Sequence, residues 1–170
     1  MKRFGIPWLV ALLSLLVLLC SPSHDDELDM HLRFLEPLLN KQWVGGFVGS
    51  EHPNMKIVRR FEWMRADSVV QCAREVKTAG FWELMHIRWD PARGEVSYLS
   101  ENNSGMFEQG VVQAKEGRII FHGENFCSSS TFEFQTTLEI APHGTLRETR
   151  AYMKDGKWVQ LYTQEFVAKR

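Results

Sequence analysis

From residue 42 onward the chain falls into runs of six to eleven residues rich in Val, Ile, Phe, Trp, Tyr and Thr, broken by short polar clusters. Ten such runs can be marked, at about 42–48, 55–64, 68–78, 81–89, 95–100, 105–114, 118–124, 130–140, 146–153 and 158–168. Their composition is that of β-strands. The breaks Asp90-Pro91-Ala92-Arg93-Gly94, Lys115-Glu116-Gly117, Pro142-His143-Gly144 and Asp155-Gly156 carry residues that preset or permit turn dihedrals, so each joins sequence neighbours as a hairpin. No connection after residue 42 is long enough for a parallel crossover, which predicts an antiparallel up-and-down meander. Closing that sheet into a barrel of about ten strands removes both of its edges.

The segment before the strands reads differently. Leu32, Leu35, Leu38 and Leu39 recur at spacings of three and four, and the pattern predicts a short helix over 28–39, limited by Pro37 and able to lie across one end of the barrel. Before it, Lys2 and Arg3 precede an apolar run from Ile6 to Leu19, and Ser21-Pro22-Ser23 supplies small residues at its end. That is the pattern of a secretory signal peptide over 1–23, with cleavage before His24. The expected product is exported, periplasmic or extracellular. It has a polar lead and short helix over 24–40 and one barrel domain over 41–170.

Charge and cysteines then narrow the partners. Without Lys2 and Arg3, 18 basic residues face 21 acidic ones. No basic patch or basic helix is visible, which argues against nucleic acid and anionic lipid, and leaves a membrane contact to the signal segment or a lipid anchor. Cys20 resembles the lipid-accepting cysteine of bacterial lipoproteins. Leu19, however, stands where that pattern takes Gly, Ala or Ser, so removal of Cys20 with the signal is the favoured reading. Cys72 and Cys127 remain, and an oxidising compartment makes them a candidate disulfide pair, with two separately buried thiols as the equal alternative.

Four segments carry a family resemblance. Phe34-Leu35-Glu36-Pro37-Leu38-Leu39-Asn40-Lys41-Gln42-Trp43-Val44-Gly45 resembles the helical lead and first strand of uncharacterised lipocalin-like proteins of the calycin group. Arg60-Phe61-Glu62-Trp63, Ile87-Arg88-Trp89-Asp90 and Lys154-Asp155-Gly156-Lys157-Trp158-Val159 extend the likeness over most of the chain beyond residue 24. The resemblance implies a calycin/lipocalin-like barrel that binds a small hydrophobic or amphipathic molecule without chemistry. It also implies a basic residue from the last strand, Lys169 or Arg170, stacked over Trp43.

Alternation along the strands supplies candidate ligand contacts. In the fourth run Glu83 lies on one face, and His86 and Arg88 lie on the other. An interior Arg would anchor a carboxylate bidentately, and Arg59, Arg88 and Arg150 are the candidates, joined by Trp63, Glu83, His86 and Tyr152. The alternative is that most of these charges face solvent as cross-strand ion pairs. The six His show no paired spacing within one element, so no metal or other cofactor is implied. Two further classes stay open: a filled barrel acting as a structural or protein-interaction domain, and an acid/base enzyme using Glu83, His86 or Tyr152. A continuous apolar cavity of roughly 300–1,000 Å³ would favour the ligand carrier, and a lumen closed by aromatics the filled barrel.

Overall fold

The computed structural model of the protein describes residues 28–49, 55–65, 68–127 and 130–169. The expected signal segment over 1–23, with Cys20, lies outside them. Ten strands follow in order: β1 Gln42–Phe47, β2 Ile57–Met64, β3 Val69–Val76, β4 Phe81–Asp90, β5 Glu95–Asn102, β6 Phe107–Lys115, β7 Arg118–Cys127, β8 Ser130–Ile140, β9 Leu146–Lys154 and β10 Lys157–Lys169. Each pairs antiparallel with its sequence neighbours, and β1 pairs with β10, so the sheet closes into an up-and-down barrel. The all-β barrel expected from the hydrophobic pattern is the observed architecture.

Turn chemistry sets the register. Glu116 and Gly117 have φ of 53° and 74°, and Asp155 and Gly156 have φ of 51° and 73°. Both central residues at positive φ is the type I′ condition, whose twist matches that of the flanking strands. Closure depends on Gly45. A Cβ there would sit 1.8 Å from the carbonyl oxygen of Glu165, so only glycine lets β1 approach β10 this closely.

One end of the barrel is covered by a 3₁₀ helix, Met30–Leu38. Asp29 caps it by accepting from the His31 amide at 2.8 Å. Leu32, Leu35 and Leu38 are fully buried at intervals of three, the 3₁₀ repeat, so one ridge of the helix faces the core. Burying each contributes about 1.5–3 kcal/mol. Trp43 on β1 donates its indole N–H to the Leu38 carbonyl at 3.0 Å, satisfying an orphan acceptor where the helix ends. On the other flank the His31 ring stacks on Trp89, centroids 3.7 Å apart and 5° from parallel. Lys41 lies over Trp43, 5.6 Å from the ring centroid; Lys169, expected over that ring, is exposed and stands opposite Gln42 in the β1–β10 register, and Arg170 lies outside the described residues.

Candidate functional site

Inward-facing residues fall into an apolar set and a polar set. The apolar set includes the helix leucines with Trp43, Ile57, Phe61, Val70, Ile87 and Leu138. The polar set holds three arginines and three glutamates: Arg59, Arg74, Glu83, Glu108, Glu148 and Arg150, five of them buried and Arg150 half-buried. They pair one to one. Arg59 on β2 bonds Glu148 on β9, Arg150 on β9 bonds Glu108 on β6, and Arg74 on β3 reaches Glu83 on β4 at 3.4 Å. The first two pairs cross the lumen, each skipping two intervening strands.

Neutral side chains complete this network. Ser100 donates to Glu83 at 3.0 Å, Asn125 to Glu108 at 2.6 Å, and the Tyr162 hydroxyl to Glu148 at 3.2 Å. Arg74 also donates to Gln164 on β10 at 3.4 Å, a third brace across the interior. The Arg150 guanidinium lies over the Phe134 ring at 3.9 Å, a cation–π contact in a desolvated setting. Burial pushes the Glu83 carboxyl up, but Arg74, then Arg59 and Arg150, outweigh it and hold Glu83 below the ordinary carboxylate range.

The packing leaves little room. A cavity of about 20 Å³ remains among Arg59, Phe61, Glu83, Tyr98, Phe134 and Thr136. Ligand pockets run to roughly 300–1,000 Å³, so the interior in this conformation is a filled core.

The larger concavity lies outside. A groove of about 700 Å³ crosses the outer faces of β3 to β7 and is lined by His86, Arg88, Leu99, Gln109 and Glu124, with Met64 and Val69 at its edge. Gln71, His86, Leu99, Gln109 and Glu124 are successive cross-strand partners, so their side chains form one row across five strands. The strand backbones approach closely where Gly110 and Gly123 pair. A Cβ on Gly110 would lie 2.1 Å from the His122 carbonyl oxygen, and one on Gly123 would lie 2.1 Å from that of Gln109.

These geometries divide the residues singled out from sequence. Arg59, Glu83 and Arg150 face the interior. Arg59 and Arg150 thus correct the alternative that most of these arginines meet solvent, because each is held by a buried glutamate. Arg88 faces outward and is exposed, and His86 is half-buried beside it in the groove. Trp63 is half-buried on β2 beside Leu28, Arg33 and Glu36 at the covered end, away from both the groove and the charged network. Tyr152 is half-buried on β9. Glu83, His86 and Tyr152 are not brought together as an acid/base set, since Glu83 and His86 occupy opposite faces of β4.

Cys72 is a free, buried thiol, which corrects the expected bridge to Cys127. It lies on β3, separated from β7 by three strands, and burial pushes its pKa up to about 12. The Cys127 side chain lies outside the described residues.

Arg74, Glu108, Glu148 and Gln164 were not singled out from sequence, although for Arg74 and Gln164 a signal existed. Arg74 sits between Cys72 and Val76 at i ± 2, and Gln164 between Tyr162 and Phe166. Arg88, by contrast, has His86 and Asp90 as its same-face neighbours. A charge flanked at i ± 2 by apolar residues belongs to the buried face of a strand. In comparisons with known proteins, no family model and no curated protein matches this chain.

Proposed function

We propose that the chain is an exported, non-catalytic binding protein of lipocalin-like type that takes a small amphipathic acid on the outside of its barrel, in the groove around Arg88 and His86. The observation that carries this reading is the contrast between a lumen of about 20 Å³ and an outer groove of about 700 Å³. Only the second is in the range of small-molecule sites. Arg88 suits the role of anchor. Its guanidinium is exposed in the groove and makes no ion pair or hydrogen bond among the described residues, whereas Arg59, Arg74 and Arg150 are already neutralised. A planar fork of donors fits a carboxylate bidentately. Leu99, Met64 and Val69 supply apolar surface for the rest of the ligand. The signal pattern over residues 1–23 supports the exported compartment.

Native mass spectrometry of residues 24–170, purified from the cell envelope and then extracted with organic solvent, tests the proposal. A co-purifying acidic amphipath, lost on denaturation and absent from Arg88→Ala, is expected. A clean apo mass would overturn it and favour the second reading, a filled barrel whose outer face meets a protein partner. The exposed Trp82, Leu99 and Phe107 on β4, β5 and β6 are the surface on which that second reading rests.

A further inference from the structure

The small cavity inside the barrel has a composition that its size explains. Three of its lining residues, Arg59, Tyr98 and Thr136, each carry a buried polar atom with no hydrogen-bond partner among the described residues: Nε, the phenolic hydroxyl and Oγ1. All three side chains are more than nine-tenths buried. Leaving one such atom unsatisfied is costly, and three around one cavity is far from the usual behaviour of protein interiors. The space itself, about 20 Å³, is enough for a single water, which needs about 10–15 Å³ and makes about three hydrogen bonds.

Charge decides what kind of occupant fits. Arg59 and Arg150 line the cavity opposite Glu83 and Glu108, two cations against two anions. A cation or an anion would unbalance them, whereas a neutral molecule that both donates and accepts would not. Arg59 Nε can only donate, and the two hydroxyls can do either. We propose that the barrel holds one resident water, accepting from Arg59 Nε and bonding the hydroxyls of Tyr98 and Thr136, as an integral part of the ionic network. The site is internal, and of the residues lining it only Tyr98 also lines the outer groove, so the proposal does not depend on whether that groove binds a ligand.

The sign of a stability change tests it. Val replaces Thr at nearly constant volume but without the hydroxyl. If the Thr136 hydroxyl is unpartnered, Thr136→Val removes an uncompensated polar group and raises Tm. If it holds the water, the same change removes a hydrogen bond, and Tm falls by about 2–4 °C. Tyr98→Phe makes the same distinction from a second wall of the cavity. A fall in both variants, with a water peak within hydrogen-bond distance of all three atoms in a high-resolution crystal structure of the wild type, is expected. An unchanged or raised Tm, or an empty cavity in that map, would overturn the proposal.

Discussion

Arg59 and Glu148, 89 positions apart in sequence, meet inside the barrel and tie β2 to β9 across the lumen. Both charges are buried, so the pair has paid a desolvation cost that an apolar pair would avoid. Removing one partner leaves the other charge stranded. Arg59→Met alone should therefore cost about 3–5 kcal/mol in urea unfolding, and Arg59→Met with Glu148→Leu should recover most of it. Costs that simply add would mean that the two residues do not act as a pair.

Acid should loosen this network. Glu83 has a folded pKa below its ordinary 4.5, so its stabilising contribution is complete above that value and is lost as the pH falls through the depressed one. Melting curves should show Tm dropping below about pH 4.5, and a Glu83→Gln variant should lose less stability over the same interval. Parallel pH profiles for the two proteins would remove Glu83 from the account.

Cys72 gives a test of the interior and of the missing bridge together. Burial holds its thiol protonated up to about 12, and only the thiolate is nucleophilic. Iodoacetamide at neutral pH should modify it slowly in the native protein and rapidly in urea, and dithiothreitol should leave Tm unchanged. A Tm that falls on reduction would restore the disulfide to Cys127.

The glycine pair of β6 and β7 tests the close approach of these strands. A Cβ on Gly123 would lie 2.1 Å from the Gln109 carbonyl oxygen and 2.6 Å from the Tyr98 hydroxyl, so Gly123→Ala must push apart backbone and ring. A loss of about 1–3 kcal/mol is expected, with disturbed amide signals along β5 and β6. A neutral substitution would show that the strands can relax without cost.

The strands, their hairpins and the covering helix were legible because residue type and turn chemistry act locally. Which face of each strand points inward was harder to read. In an interior that holds Arg59, Arg74, Glu83, Glu108, Glu148 and Gln164, polarity alone does not mark the solvent side. Three of the pairings, Arg59 with Glu148, Arg150 with Glu108 and Arg74 with Gln164, also join strands three places apart around the barrel, and no local spacing encodes them. The outer groove was invisible for a similar reason, since it arises from the curvature of five paired strands and from no single motif.

Titration calorimetry with dodecanoate, an acid-bearing amphipath, on the wild type and on Arg88→Ala tests the central claim most directly. Loss of the guanidinium should weaken binding about tenfold or more, as expected for a charged hydrogen bond. Thr136→Val, altered only in the interior, should bind as the wild type does. Equal affinity in Arg88→Ala, or no binding to the wild type, would contradict an outer-groove site for amphipathic acids.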